Sequence, residues 1–287
     1  MTQPMQTPLT MLIPLKSPQD ASKLLRLLPT LELQFRQALS TLPEVHYFRC
    51  VLVTGGSDLA LIATIDGAVD DFLDDFITAA GTLIDQLLEF ASPPVPLPVS
   101  LRRADFKQYV KEHNAPAPFW YSATPPSTAA QLLASAKTAG MDGGDPLSAP
   151  TQNTLCAIFE VLSPNDAAQL RGLMMQAAPQ VLQAFSAVGT VHFARFLFLK
   201  NETQFGIITV FDGTFEKYSR DFVNILGQVF DALLAHVVGG DSSLIPVKDH
   251  FDQFHKIVAS SNYAPPSIWY CAYPKLTTPN VQTLGTP

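Results

Sequence analysis

The chain has 287 residues, enough for two ordinary domains that each bury a core. Apolar residues make up 47% and charged residues only 15%, which excludes a disordered chain. A net charge of −7, a pI near 5.3 and the lack of any basic run argue against nucleic acid and anionic membrane surfaces as partners.

In chain order, Met1-Thr-Gln-Pro-Met-Gln-Thr-Pro8 has neither the positive stretch nor the unbroken apolar stretch of a secretory leader. Residues 9–15 form a short apolar run that reads as a strand. Ser17-Pro18 then reads as an N-cap followed by proline at the first helical position. The stripe Leu24, Leu28, Leu31, Phe35, Leu39, Leu42 predicts a helix with one buried face. Residues 45–53 and 59–66 predict a hairpin turning at Gly55-Gly56. A second helix beginning at Asp66 carries the stripe Phe72, Phe76, Ala80, Leu83, Leu87, Phe90; a shorter helix covers about 102–113; a last strand holds Trp120-Tyr121. No stretch approaches the roughly 20 uninterrupted apolar residues of a membrane span.

The pattern then recurs. Val45-His-Tyr-Phe-Arg49 and Val191-His-Phe-Ala-Arg195 stand 146 residues apart, and six of the 23 positions from Val45 to Gly67 match their partners, against one or two by chance at roughly ordinary composition. The same offset carries Asp20 onto Asp166, Asp66-Gly67 onto Asp212-Gly213 and Asp85 onto Asp231. The second copy repeats the strand (154–161), the helix, the hairpin (191–199 with 204–212, turning at Asn201-Glu202), the second helix from Asp212 and the short helix (about 247–260). Near the end the offset becomes 149 and aligns Asn114-Ala-Pro-Ala-Pro-Phe-Trp120-Tyr121 with Tyr263-Ala-Pro-Pro-Ser-Ile-Trp269-Tyr270, so the chain's two tryptophans occupy equivalent places. The expected organisation is a module over 1–134, a Gly/Ser/Pro/Asp-rich linker over 135–152 and a second module over 153–287.

The order β-α-β-β-α-(α)-β makes the class α+β: a tandem duplication of a ferredoxin-like βαββαβ module with an extra helix before the last strand. Two antiparallel sheets, each covered by helices on one face, can cover each other as a pseudo-dimeric α+β barrel. On the Val-His-Phe-Ala-Arg195 strand, the Phe-Asp-Gly213 strand end and the Pro-x-x-Trp-Tyr270 strand, the chain resembles bacterial two-module tandem members of the dimeric α+β barrel superfamily. That resemblance implies a fold shared by dye-decolourising haem peroxidases, chlorite dismutases, monooxygenases and small isomerases, and leaves the activity open. The peroxidases carry Gly-x-x-Asp-Gly; the segment ending Val-Phe-Asp-Gly213 lacks the first glycine, so that likeness is distant.

Candidate residues follow from the two copies. Symmetric hairpins place His46 across from Asp66 and His192 across from Asp212, arranged either for general base chemistry or as a brace for a helix cap at the Asp. Arg49 and Arg195 lie three residues beyond the histidines and are expected on the opposite sheet face. There they pair with a carboxylate such as Asp75 or Asp221, or else face the space between modules and hold an anion. Trp120-Tyr121 and Trp269-Tyr270 are packing wedges or pocket walls.

Features present in one copy only are freer to serve a function. Tyr218 and His236 stand where the first copy has Phe72 and Phe90; His236 is either a helix-end cap or, were haem the cofactor, its axial ligand, with Arg195 as partner. His250 and His255, five apart, read as surface residues, and no metal cluster, phosphate loop or nucleophile signature is present. Cys50, Cys156 and Cys271 lie in strand-like runs without a C-x-x-C pair and are expected as buried free thiols in a cytoplasmic protein. Two readings stay open: binding of a small apolar ligand or haem between the modules, with oxidoreductase (peroxidase- or monooxygenase-like) chemistry, or a non-catalytic scaffold whose barrel is filled by side chains. An unpaired sheet edge also makes a homodimer conceivable.

Overall fold

The computed structural model describes residues 6–263 and 267–285; Met1–Met5 and Ala264–Pro266, the latter inside the aligned Trp-Tyr segment, lie outside the described residues. In the first half, β1 (Gln6–Pro14), α1 (Pro18–Leu39), β2 (Val45–Val53), β3 (Asp58–Asp66), α2 (Val69–Leu88), α3 (Arg103–His113), β4 (Phe119–Ser122) and α4 (Ala129–Thr138) follow one another. The second half repeats the series as β5 (Asn153–Glu160), α5 (Pro164–Val188), β6 (Val191–Leu199), β7 (Gln204–Phe211), α6 (Phe215–Leu234), α7 (Phe251–Ser260), β8 (Ser267–Cys271) and α8 (Thr278–Leu284). The fold is α+β, with two four-stranded antiparallel sheets.

Local chemistry accounts for the elements. Ser17 and Ser163 cap α1 and α5 from an extended conformation, each followed by proline and each accepting from the N–H of Asp20 or Asp166 three residues on. The stripe of α1 is buried in full, and that of α5 is buried at Leu170, Met174, Val181 and Phe185. Thr54, Gly55 and Gly56 turn the first hairpin with positive φ at all three residues; the second uses Lys200, Asn201 and Glu202, all left-handed without a glycine.

The last strands exchange sheets. The sheet orders are β1-β3-β2-β8 and β4-β6-β7-β5, so the final strand of each half pairs in the other half's sheet. Asn114 still bridges Met11, and Ala115 N–H donates to the Thr10 carbonyl at the edge of β1, where a ferredoxin-like module keeps its own fourth strand. The chain then leaves for β6. Asn262 and Tyr263 repeat the crossing along β5. The structural equivalent of Asn114 is therefore Asn262, since both accept a strand N–H through Oδ1, and the alignment on Tyr263 is one residue out at that point. Both crossing segments occupy an outer strand edge over these residues.

Three apolar layers result. Alternate residues of the first sheet meet α1 and α2, those of the second meet α5 and α6, and a central layer built from Tyr47, Val51, Ile62, Cys156, Phe193, Leu197 and Ile208 lies between the sheets. Buried glutamines at matching places pin the exchanged segments: Gln6 donates to the carbonyls of Thr124 and Ser127, and Gln152 to those of Tyr273 and Leu276. The three cysteines are buried and unpaired. Among the described residues no helix is long and apolar enough to cross a membrane.

Candidate functional site

The histidine–aspartate pairs form, by a different geometry from the one a symmetric hairpin predicts. Strand pairing slips by one residue at a bulge between Val45 and Tyr47, and again between Val191 and Phe193. His46 sits on the first bulge, 2.8 Å from the Asp66 carboxylate through Nε2; His192 Nε2 lies 2.9 Å from Asp212. The bulge also cancels the expected opposition of faces. The His46 ring packs edge-on against Phe193 of the central layer, so histidine and arginine both point between the sheets.

Asp66 and Asp212 do not cap the helices that follow them, which begin at Val69 and Phe215. Their second oxygens accept the first N–H groups of the exchanged helices, Ala129 of α4 and Thr278 of α8. A carboxylate there meets one of the helix's otherwise unpaired N–H donors and the positive end of the dipole. Burial alone would raise the Asp212 carboxyl, but the hydrogen bond and charge of His192 and the Thr278 N–H outweigh it and hold it below the usual carboxylate range.

His46 also touches Tyr273, whose hydroxyl lies 2.9 Å from Nδ1. Because the carboxylate can only accept, a neutral imidazole donates from Nε2 to Asp66 and accepts at Nδ1 from the tyrosine. The Tyr-His-Asp chain has the connectivity of a catalytic triad, yet His46 is 0% and Tyr273 1% exposed. Through Asp66 the chain ends on the first N–H of α4. Tyr273 stands where the first half has Thr124, a difference visible once the Trp-Tyr segments are aligned.

Both arginines are buried in the central layer, and neither contacts Asp75 or Asp221; Asp221 pairs with Lys217. Arg195 reaches across to the first sheet, donating from Nη1 to the Leu9 carbonyl and the Thr10 hydroxyl and from Nη2 to the Ala63 carbonyl and the Thr64 hydroxyl. Its guanidinium also lies 5.2 Å over Trp120, its cross-strand partner. Burial pulls its pKa down to about 10, which leaves it charged at neutral pH. Among the described residues Arg49 donates from Nη2 alone, to the Tyr263 carbonyl, while its Nε and Nη1 are buried without a hydrogen bond there.

His236 lies just beyond α6, where its Nδ1 and a carboxylate oxygen of Asp166 are 2.9 Å apart, tying the end of α6 to the first turn of α5. The hydrogen bond from His236, followed by that from Ser163, holds the Asp166 carboxyl below its ordinary value. Tyr218 is buried, stacked on Phe211 at 4.1 Å, and burial raises its phenol far above the usual range. It borders a narrow apolar cavity of about 30 Å³ with Phe196, Phe222 and Phe254, far too small for haem. Tyr270 is buried in the core of the first half, and Trp269 is half-buried at the central layer. His255 is not a free surface residue; its ring lies 4.6 Å from that of Phe215. Haem does not fit: His46, His192 and His236 each engage a carboxylate, and the central layer between the sheets is occupied by side chains. Among the described residues no His, Cys, Asp and Glu cluster could hold a metal ion.

A larger cleft of about 440 Å³ lies between the start of α1 and the Gly55-Gly56 turn, and one of about 310 Å³ opens at the rim of the central layer. Leu12, Pro14 and Asp58 of the first sheet, His113–Pro116, and Phe198–Asn201 of the second half form its walls. Asp58 is buried and paired with Lys200 and the Ser57 hydroxyl, each at 2.5 Å. His113 Nδ1 donates to the Tyr109 carbonyl, which leaves Nε2 as its acceptor. At the equivalent place of the other half, Tyr263 stands where Ala115 stands here, and its hydroxyl accepts the Gly55 N–H. Sequence reasoning missed this site because Ala115 and Tyr263 differ without either being a chemical motif.

No family model matches the chain, and no curated protein matches its sequence. Solved structures align along most of it at low similarity. A candidate monooxygenase of Lactobacillus acidophilus NCFM is 9% identical over 92% of this chain and 93% of that one, with a TM-score of 0.32. A candidate monooxygenase of Fusobacterium nucleatum is 7% identical over 94% and 93%, with a TM-score of 0.37. An anthrone oxidase-like protein is 8% identical over 93% and 90%, with a TM-score of 0.31.

Proposed function

We propose that the protein binds a small molecule in the rim cleft, without catalysing a reaction on it. The observation that carries this reading is the exchange of Tyr263 for Ala115: the large side chain of one half is a methyl group in the other, beside a cleft of about 310 Å³. That volume falls at the lower end of ligand sites, and its lining is of the usual kind, an apolar wall with a few polar groups at one end. Leu12, Pro14, Pro116 and Phe198 suit an apolar body; Lys200, His113 and Asn114 supply the polar end. Because Lys200 and Asp58 neutralise each other, Glu112 at the mouth leaves a negative balance that favours an amine over a carboxylate.

Support for binding over catalysis comes from His46, His192 and His236, each held by a carboxylate, and from the filled central layer. Saturation-transfer NMR with benzylamine and benzoate as probes tests the reading. Transfer to benzylamine in the native chain, lost in Ala115→Tyr with unfolding temperature retained, is the expected result. Equal transfer in Ala115→Tyr, or none to either probe, overturns it.

A further inference from the structure

Arg49 and Arg195 are two guanidiniums in one dry layer, and no carboxylate pairs with either among the described residues. A buried cation without an anion is costly unless neutral acceptors solvate it. Arg195 has four such acceptors. Moving each by the offset between the halves shows what Arg49 lacks: Thr10 corresponds to Cys156 and Thr64 to Val210, so both hydroxyls are gone. What gathers around Arg49 instead is a set of donors.

Trp269 is its cross-strand partner on β8, and Tyr47 lies two residues before it on the same strand face, 6.5 Å from the Trp269 ring. Among the described residues the Trp269 Nε1, the Tyr47 hydroxyl, and the Arg49 Nε and Nη1 are all buried without a hydrogen-bond partner. The other half has Phe193 in place of Tyr47, so the extra hydroxyl belongs to this side alone. Unpaired polar atoms of this kind are rare in native cores, and three unpaired N–H groups with one hydroxyl call for an acceptor. A water molecule has two lone pairs and no charge; a monoanion accepts from all four groups and neutralises Arg49.

We infer that the patch formed by Arg49, Tyr47 and Trp269 between the sheets is a binding site for a small, readily dehydrated inorganic monoanion of the halide class. The burial of all four groups favours an ion that sheds water readily over sulfate and phosphate, whose hydration is stronger. Trp269, the least buried of the three, is the side chain whose rotation admits the ion.

Bromide is the probe. The native chain is melted in sodium bromide and in sodium gluconate at equal ionic strength, and crystals soaked in bromide are measured at its absorption edge. The expected results are an unfolding temperature that rises with bromide concentration and an anomalous peak within hydrogen-bond distance of Arg49. Tyr47→Phe, which keeps the fold, weakens the bromide dependence several-fold; Arg49→Met removes it. Identical melting in the two salts with peaks only on the surface overturns the site, as does an unchanged bromide dependence in Arg49→Met. Neither outcome bears on the rim cleft, which benzylamine reads separately.

Discussion

Arg195 and Arg49 occupy the same place in the two halves and have nearly the same burial, yet they are solvated in opposite ways. Arg195 finds two carbonyls and two threonine hydroxyls on the facing sheet and an indole beneath it. Arg49 finds one carbonyl and a ring of donors. One strand motif can therefore brace a barrel on one side and leave an unmet charge on the other, and two neighbouring substitutions, cysteine and valine for threonine, suffice. The lesson extends to the rim, where Tyr263 closes one end of the layer and Ala115 leaves the other open.

The largest expected effect tests that contrast directly. Arg195→Met strands four buried acceptors and should cost about 3–5 kcal/mol in urea unfolding. Arg49→Met, measured without small anions, should cost under about 1 kcal/mol, since a long apolar side chain replaces a poorly solvated charge. Equal losses would break the comparison.

Next come the contacts that the halves share. Asp66→Ala and Asp212→Ala each remove a carboxylate that holds a histidine and the first N–H of an exchanged helix, and each should cost about 1–3 kcal/mol. The Asp212 carboxyl is held below its unfolded value. Its stabilisation is therefore present above the unfolded pKa and is lost as pH falls below about 4 through the folded value. A urea titration series from pH 6 to pH 3 should show the Asp212→Ala penalty shrinking on the acid side; a penalty that grows there would contradict the assignment.

The smallest effect belongs to His236. It differs between the halves, and its ring engages the Asp166 carboxylate at a partly exposed helix end. His236→Phe, which installs the residue of the first half, should leave the unfolding temperature within about 2 °C. Haemin added to the native chain should give no sharp Soret band; a band lost on this substitution would restore a haem role.

The sequence by itself determined the elements of each half up to its last strand, their order and the likeness of the two halves; α4, which runs into the expected linker, and α8 it did not mark. The marked features follow from local rules: serine-proline helix starts, stripes at helical spacing, alternating strands around a turn. It also brought His46 to Asp66 and His192 to Asp212, because residues near the two ends of one hairpin must meet. Which face these side chains occupy was decided by a single bulge in each hairpin, a slip of one residue that periodicity does not record. Which sheet the last strand joins was equally hidden, since in a chain of two like modules the own and the exchanged pairings satisfy the same local contacts. Only the tertiary structure separated them, because the crossing segments after Asn114 and Asn262 run from one sheet's edge to the other sheet. The same exchange laid Trp269 and Tyr263 beside Arg49, contacts between residues more than two hundred positions apart, and the turn after each exchanged strand set α4 and α8 on Asp66 and Asp212; no local pattern encodes either.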